Sequence, residues 1–242
     1  MYNVKQLAEL THPGFWDERY RSKQQELAKL TAAVRGEGLV NEADAAVPLD
    51  AYEWFRSVEQ IRPFLERHLP GGEGYGEEGS RMREECRILH LGCGNSTLTA
   101  DLHALGYSDQ ISVDFSQVVI DSMQVKYASL NSTWQVMDLR DLNIEDASID
   151  IAIDKATPDA MMHGSLWDPP ADVRENVGKY AEDVARVLKP GAKWLYVPFR
   201  QPHFIKILLD RSELWHLDVE VLADPQGTGG FDYFGCVMTK HS

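Results

Sequence analysis

The chain has 242 residues, of which 43% are hydrophobic, enough for the core of one large α/β domain. Its net charge of −14 argues against a nucleic-acid partner, because phosphate binding relies on clustered lysine and arginine, and it favours a basic surface on any protein partner. Three scattered cysteines give neither a disulfide framework nor a metal-ligand spacing, and no apolar run could span a bilayer or act as a signal core, so we expect a cytoplasmic protein without metal or membrane contact.

Two helices are predicted before the first strand. Residues 17–34 place Tyr20, Leu27, Leu30 and Val34 at helical spacing. After a polar stretch, residues 52–69 form a second pattern, which Pro63 bends or restarts; its apolar stripe comprises Trp54, Phe55, Val58, Ile61 and Leu65. The glycine-rich, acidic residues 70–79 predict a mobile loop. We therefore expect one domain, with a helical lid at 1–69, a flexible loop at 70–86 and a cofactor-binding core at 87–242.

From residue 87 onward, apolar runs alternate with helical patterns, which predicts a parallel sheet covered by helices on both faces. The first five strands are expected at 87–91, 111–114, 134–137, 149–153 and 194–197. Two further runs, 216–222 and 231–238, flank a short loop at 224–230, so a hairpin should make the last strand antiparallel. The predicted fold class is α/β, with a seven-stranded, mostly parallel Rossmann-like sheet and an antiparallel last strand.

The most informative motif is ILHLGCGNS at residues 88–96, an apolar strand that runs into a glycine-rich turn. Gly92 and Gly94 have no Cβ, so the backbone of the turn, which also includes Cys93 and Asn95, can pass close to a ligand. Asp114 closes the next apolar run and can accept hydrogen bonds from both hydroxyls of a ribose. The pattern predicts an adenosine site, while a strand–turn–helix without a ligand remains the alternative.

Position 97 distinguishes between adenosine cofactors. A dinucleotide fingerprint requires a third glycine there, and this chain has Thr97. Without that glycine a pyrophosphate loses its usual cradle, so NAD and FAD are less favoured. S-adenosylmethionine carries no phosphate, and it is the cofactor that the turn favours.

Six separated motifs follow one another along the chain: FWDERY at 15–20, YEWF at 52–55, LGCGNS at 91–96, VDFS at 113–116, MDLRDL at 137–142 and DKATPDA at 154–160. They resemble those of class I S-adenosylmethionine-dependent methyltransferases. Within that class the chain is similar to the methyltransferase-like group that methylates lysine on translation elongation factor 1-alpha, and most to its lysine methyltransferase 4 family. The resemblance implies S-adenosylmethionine as cofactor and elongation factor 1-alpha as protein substrate, and we expect a monomer.

The resemblance also implies roles for aromatic residues near the cofactor. Trp16 and Tyr20 are four residues apart and share a helix face, so they could simply anchor that helix. In the family's pattern they close over the methionine end of the cofactor, together with Trp54, and aromatic faces suit the positive sulfonium. Phe115, next to the ribose-binding aspartate, is expected to stack on the adenine.

Asp138 follows the third strand, where the superfamily uses a carboxylate to bind the adenine amino group. The next backbone amide, that of Leu139, would read a ring nitrogen. Asp138 could instead cap a turn. Because ligands of open α/β sheets bind at the carboxyl ends of strands, we favour the binding role.

Asp154, Lys155 and Asp159 follow the fourth strand and should face the crevice beside the transferred methyl group. Asp154 and Asp159 are the candidate catalytic carboxylates, which would orient a lysine amine or accept its proton. Lys155 is favoured as a structural or cofactor-contacting cation over a nucleophile, because methyl transfer needs no covalent intermediate. The Asp168-Pro169-Pro170 segment is expected to be a loop, since it lies too far from the strand for an amino-group methyltransferase motif.

Two departures from the family weaken the substrate assignment more than the cofactor assignment. The family usually reads DKGTLDA where this chain has Ala156 and Pro158, and residues 21–48 are longer than the matching segment. The alternatives are therefore a small-molecule N- or O-methyltransferase and a cofactor-binding module without turnover.

Overall fold

The computed structural model describes residues 9–35, 48–54, 56–72, 76–222 and 232–242. Phe55, the side chain of Val34 and the predicted hairpin loop 224–230 lie outside this part of the chain. Strands are numbered in chain order: β1 Ile88–Leu91, β2 Gln110–Asp114, β3 Ser132–Val136, β4 Ile149–Lys155, β5 Leu188–Val197, β6 Trp215–Leu222 and β7 Tyr233–Lys240. Helices of the described part are α1 Pro13–Arg35, α2 Val58–His68, α3 Gly76–Glu85, α4 Leu98–Ala104, α5 Gln117–Lys126, α6 Thr157–Met161, α7 Ala171–Val187 and α8 Pro202–Leu209.

The seven strands form one sheet in the order β3-β2-β1-β4-β5-β7-β6. The first five run parallel, and β7 is antiparallel to both of its neighbours, β5 and β6. This topology confirms the predicted fold class. The strand order reverses between β1 and β4, so the crevice at their carboxyl ends is where such a sheet binds its ligands.

Two layers of buried side chains cover the two faces of the sheet. One cluster packs α7 and α8 against the sheet around Trp194, and the other packs α2 and α4 around Leu195. Successive strand residues alternate between the faces, which is why these two neighbours belong to different clusters. A third cluster, around Tyr20 and Met123, joins α1 to α5.

The second predicted helix is shorter than expected. It begins at Val58 because Ser57 and Gln60 form a capping box, in which the Gln60 side chain accepts from the Ser57 amide at 3.0 Å. Trp54 therefore precedes the helix, and its predicted place in the helical stripe was wrong. Pro63 lies inside the helix without ending it.

The predicted flexible loop at 70–86 was wrong over most of its length, because α3 occupies Gly76–Glu85. Acidic residues in its first turn and Arg83 in its last turn complement the helix dipole. Arg83 also donates to the Gly71 carbonyl at 2.5 Å, and the Tyr107 hydroxyl donates to the Pro70 carbonyl at 2.7 Å. These tertiary bonds order a segment whose composition alone favours a loop.

No helix in the described ranges is both long and apolar enough to cross a bilayer.

Candidate functional site

The glycine turn after β1 adopts a left-handed backbone, with φ of +64° at Gly92 and +51° at Gly94. Only glycine occupies this region without strain. A Cβ on Gly92 would lie 2.4 Å from Thr157 Oγ1, so there is no room for a side chain. The Cys93 amide donates to the Val113 carbonyl at 2.9 Å, which holds the turn against the end of β2. The turn therefore lies in the crevice at the carboxyl ends of the central strands.

Asp114 is buried at the end of β2 with both carboxylate oxygens facing main chain. Oδ2 accepts from the Gly94 amide at 3.0 Å, and Oδ1 accepts from the Ser116 amide at 2.9 Å. Burial raises the pKa of the Asp114 carboxyl to about 6, although the backbone hydrogen bonds oppose the shift. Each oxygen keeps a second lone pair, so the ionised carboxylate has one acceptor position for each hydroxyl of a ribose.

Glu53 is a central residue of the site that the sequence reasoning missed. Its carboxylate accepts hydrogen bonds from the Thr97 amide at 2.7 Å and from the Ser96 hydroxyl at 2.8 Å. It also forms an ion pair with the Lys155 ammonium group. Because the Glu53 carboxylate occupies the start of α4, a second anion such as a pyrophosphate would be repelled from that position.

Lys155 connects the end of β4 to the segment that carries Glu53. Besides the ion pair, its ammonium donates to the Arg56 carbonyl at 3.1 Å, and its side chain is only 8% exposed. These contacts match the expected structural cation. Contact between Lys155 and a cofactor stays a prediction.

Trp16, Tyr20 and Trp54 come together over the glycine turn. The ring centroids of Trp16 and Trp54 are 5.7 Å apart, and those of Trp16 and Tyr20 are 6.1 Å apart. The Tyr20 hydroxyl lies so close to Gly94 that a Cβ there would be 3.2 Å from it. The Arg19 guanidinium lies 5.2 Å from the Trp54 ring centroid, which is a cation–π distance. The structure thus assembles the predicted aromatic group, while its contact with a cofactor stays a prediction.

We call Trp16, Tyr20 and Trp54 the aromatic lid, and polar contacts fasten the segments that carry it to the start of α5 and to the turn. The Ser116 hydroxyl donates to Asp17 Oδ1 at 2.5 Å, which joins α1 to the start of α5. The Asn95 side chain donates to the Asp50 carbonyl at 2.6 Å, and the Tyr52 amide donates to the Asn95 carbonyl at 3.1 Å. We call residues 48–54 the strap, because they cross the turn and are bonded to its main chain.

Phe115 follows Asp114 in the sequence, and Asp138 and Leu139 follow Met137 at the end of β3. The Met137 amide donates to the Asp114 carbonyl at 2.9 Å, which brings the end of β3 to the ribose-binding position. The Asp138 carboxylate accepts from Arg140 Nη2 at 2.6 Å, and hydrogen bonds from Arg140 lower its pKa. Leu139 is buried and Phe115 is half-buried. Their proposed contacts with adenine stay predictions.

Asp154, the first candidate catalytic carboxylate, is buried at the end of β4. It accepts a hydrogen bond from the Thr157 amide at 2.9 Å and another from the Tyr180 hydroxyl. Burial raises the pKa of the Asp154 carboxyl to about 7, against the opposing effect of these bonds. The bonds fix the first turn of α6 next to the crevice, which suits a positioning role.

Asp159, the second candidate, is buried on α6 and ties the end of β5 to that helix. It accepts from the Tyr196 hydroxyl at 2.5 Å and from the amides of Phe199 and Arg200 at 3.1 and 2.9 Å. Burial raises the pKa of its carboxyl. Both carboxylates already have protein partners, so direct contact with a substrate amine stays a prediction.

Comparison with known proteins supports this geometry. Residues 88–191 match a family model described as a methyltransferase domain. The match confirms the resemblance to methyltransferases that the motifs indicated.

The curated relatives are longer than this chain. Mouse EEF1A lysine methyltransferase 4 is 32% identical over 193 residues, which cover 78% of this chain and 62% of the mouse protein. The bovine eEF1A lysine and N-terminal methyltransferase is 29% identical over 73% of this chain and 23% of its own length. The chain thus spans less than two thirds of the length of these relatives.

Solved methyltransferase structures share the fold at low sequence identity. A putative S-adenosylmethionine-dependent methyltransferase from Listeria monocytogenes aligns with a TM-score of 0.53 at 11% identity, covering 77% of this chain and 100% of that one. One from Mesorhizobium loti aligns with a TM-score of 0.52 at 16% identity, covering 75% and 98%.

One strained backbone position lies at Ala156, within the segment that matches the family model. Ala156 precedes α6 with φ of +67°, in the left-handed region that costs a non-glycine residue about 1–2 kcal/mol. We expect Ala156→Gly to raise the unfolding free energy by about 0.5–1 kcal/mol, because relief of strain exceeds the added entropy of the unfolded chain. Denaturant unfolding measures this change.

Ala160→Gly is the matched control, since the same substitution inside α6 removes no strain. It should lower the unfolding free energy by about 0.5–1 kcal/mol. Equal losses in the two variants would contradict the strain at Ala156.

Proposed function

We propose that the chain binds S-adenosylmethionine in the crevice between the glycine turn and the aromatic lid. The observation that carries this proposal is the Glu53 carboxylate at the start of α4, with the Thr97 amide 2.7 Å from it. Dinucleotide-binding folds place a pyrophosphate at the corresponding helix start. A carboxylate there disfavours phosphate-bearing cofactors, while Asp114 keeps one acceptor position on each carboxylate oxygen for the ribose of a cofactor without phosphate.

The residues present fit this cofactor in three parts. Asp114 would hold the ribose, and Asp138, Leu139 and Phe115 would surround the adenine. The main chain of Gly92–Asn95 would line the methionine portion. The faces of Trp16, Tyr20 and Trp54 would lie against the sulfonium, with Lys155 acting through its ion pair with Glu53.

The proposed acceptor is a protein lysine on elongation factor 1-alpha. Two features support it: the separated motifs of the lid and core, and the relatives whose names describe lysine methylation of that factor. The net charge of −14 suits a basic protein surface better than a nucleic acid. With this substrate, the protein acts in the cytoplasm, and we propose that it acts as a monomer.

When bound, S-adenosylmethionine supplies an electrophilic methyl group. The task of the protein is to bring a neutral amine in line with it, and positioning accounts for most of the catalysis. A free lysine has a pKa near ~10.4, so a proton must leave before the nitrogen lone pair can attack. Desolvation against the aromatic lid lowers the pKa of the amine. Hydrogen bonds to Asp154 and Asp159 hold α6 and the loop after β5 in place. In the proposed complex these two elements form the walls of the path by which the lysine enters.

Incubation with labelled S-adenosylmethionine and a cell extract tests the acceptor. We expect label on a protein band that an antibody against elongation factor 1-alpha depletes. Label only in small molecules would favour a metabolite methyltransferase. Calorimetric binding of the cofactor without transfer of label to any extract component would favour a binding module.

A further inference from the structure

The Glu53 carboxylate has an acceptor position that the protein leaves open. Its Oε1 accepts from the Thr97 amide at 2.7 Å and from the Ser96 hydroxyl at 2.8 Å. The Thr97 hydroxyl donates to Asp101 Oδ2 at 2.5 Å, so its proton is not available to Glu53. On Oε2 the Lys155 ammonium fills one of two lone pairs. The Glu53 side chain is 18% exposed, so a ligand can reach the other lone pair.

The sheet order places Glu53 and Asp114 on opposite sides of the glycine turn. The turn follows β1, and β1 lies between β2 and β4. Asp114 ends β2 and accepts from the Gly94 amide at 3.0 Å. Glu53 forms its ion pair with Lys155, which ends β4. A ligand that extends from Asp114 across the turn therefore arrives at Glu53.

The parts of the proposed cofactor follow the same order as the strands. In the proposed complex the adenine lies at Asp138 after β3, the ribose lies at Asp114 after β2, and the methionine chain lies along the turn after β1. Neighbouring strands are ~4.8 Å apart, so successive parts of one extended molecule can reach successive strands. The next strand is β4. The α-amino acid end of the cofactor is the part that remains for this position.

The charges beside the turn favour a cation at this position. Glu53 and Asp101 both contact Thr97, and Lys155 supplies one ammonium. The pKa of the Tyr127 hydroxyl is raised, first by burial and then by the charges of Asp101 and Glu53, so both carboxylates act on the same region. The partial positive charge at the start of α4 offsets only part of this excess. A second carboxylate would be repelled here, and an ammonium group would be attracted.

Two other cations near Glu53 in the sequence or on α1 contact aromatic rings. The Arg56 guanidinium lies 3.3 Å from the Tyr233 ring centroid, and Lys23 Nζ lies 5.0 Å from the Tyr52 ring centroid. The ion pair that the structure gives Glu53 is the one with Lys155. The excess of negative charge beside the turn therefore persists when these cations are counted at their observed positions.

We propose that Glu53 binds the α-ammonium group of S-adenosylmethionine and so selects a cofactor whose amino acid end is cationic. The inference rests on the proposed cofactor and assigns the group that recognises this end of it. Lys155 is then a positioning residue, since its ion pair holds the Glu53 carboxylate beside the turn. A hydrogen bond between two charged groups is stronger than one between neutral groups, so the contact contributes to affinity as well as to specificity.

Two adenosine thioethers that differ in one group test this contact. One carries an aminopropyl chain on the sulfur, and the other carries a butyl chain, in which a methyl group replaces the ammonium. Both lack the carboxylate and the sulfonium of the cofactor, so their affinity ratio reports the ammonium alone. We expect calorimetry to show that wild type binds the aminopropyl ligand at least about 10-fold more tightly, the effect of one hydrogen bond between charged groups. Equal affinities in wild type would overturn the proposal.

Glu53→Gln keeps the shape of the side chain and removes its charge. The affinity ratio should fall toward one through weaker binding of the aminopropyl ligand, while the butyl ligand should bind as in wild type because its adenosine contacts remain. Glu66→Gln is the matched control, since Glu66 forms an exposed ion pair with Arg62 on α2, and it should keep the wild-type ratio. An equal loss of affinity for both ligands in Glu53→Gln would show that Glu53 only shapes the turn.

The effect on folding needs its own control, because Glu53→Gln leaves the buried Lys155 ammonium without its counter-charge. The double variant Glu53→Gln, Lys155→Met removes both charges, and it replaces the single variant if that variant does not fold. Its ratio should also be near one, since the carboxylate is absent. Neither ligand has a carboxylate, so a contact of Lys155 with that group of the cofactor does not affect the ratio. A wild-type ratio in the double variant would overturn the proposal.

The outcomes separate this proposal from the proposed function. If wild type binds S-adenosylmethionine and labels a protein but binds the two thioethers equally, the proposed function stands and the Glu53 contact falls. If wild type prefers the aminopropyl ligand through Glu53 but labels no protein, the contact stands and the proposed acceptor falls. Failure of wild type to bind S-adenosylmethionine and both thioethers overturns both proposals.

Discussion

Asp114→Ala is expected to weaken S-adenosylmethionine binding at least about 100-fold, because two charge-assisted hydrogen bonds to the ribose contribute roughly 1.5–3 kcal/mol each. The substitution also removes the acceptor of the Gly94 amide, 3.0 Å away, and so loosens the glycine turn. Isothermal calorimetry measures the loss. Asp109→Ala is the control: this carboxylate lies at the opposite end of β2, 3.7 Å from Arg87, and its removal should leave the affinity unchanged. Unchanged affinity in Asp114→Ala would remove the ribose assignment.

The same carboxyl predicts a pH dependence of cofactor binding. Burial raises the pKa of Asp114 to about 6 in the folded protein. Above that pH the ionised form accepts four hydrogen bonds in the proposed complex, and below it the protonated form loses an acceptor position. Affinity should therefore fall as the pH drops through about 6, with proton release on binding near that pH. Asp114→Asn should bind weakly with no such pH dependence. A wild-type affinity that is constant from pH 5 to pH 8 would contradict the raised pKa of Asp114, because an aspartate with the unperturbed pKa of ~3.9 stays ionised over that range.

Glu53→Ala is expected to lower the unfolding free energy by about 3–5 kcal/mol, because it leaves the buried Lys155 ammonium without its counter-charge. The Thr97 amide and the Ser96 hydroxyl lose their acceptor at the same time. For a chain of this size the loss corresponds to a fall in Tm of roughly 6–20 °C. Denaturant and thermal unfolding measure the two quantities.

Glu66→Ala provides the matched control, since it breaks an exposed ion pair between Glu66 and Arg62 on α2. That change should alter stability by at most about 0.5 kcal/mol. The double variant Glu53→Gln, Lys155→Met should recover part of the loss, because it removes both charges of the pair. A Tm for Glu53→Ala equal to that of the Glu66 control would show that the strap is not held by this ion pair.

The glycine turn and its partners were predictable because their determinants are local. Gly92 and Gly94 require positive φ, and Asp114 ends an apolar strand, so each position follows from backbone geometry and strand pattern. The same holds for the alternation of strands and helices that gives the fold. The predicted loop at 70–86 failed because the order of α3 depends on tertiary bonds, such as that from Arg83 to the Gly71 carbonyl.

Glu53 and Asp17 were missed for a related reason. Asp17 lies in FWDERY and Glu53 in YEWF, two motifs in which only the aromatic residues were assigned roles. Their partners are far away in the sequence. Glu53 contacts Thr97 and Lys155, and Asp17 contacts Ser116. No periodicity links residues so distant in the chain. Asp154 and Asp159 were found from their positions at and beyond the end of the fourth strand. The sequence does not reveal that tyrosine hydroxyls and main-chain amides already donate hydrogen bonds to them.

The most direct test of the proposed function is methylation of purified elongation factor 1-alpha, followed by mass spectrometry of its peptides. With wild-type protein and S-adenosylmethionine, we expect one lysine-containing peptide to gain the mass of a methyl group at a lysine side chain. Asp114→Ala under the same conditions should give none. A wild-type protein that binds the cofactor yet leaves every lysine of the factor unmodified would contradict the proposed function.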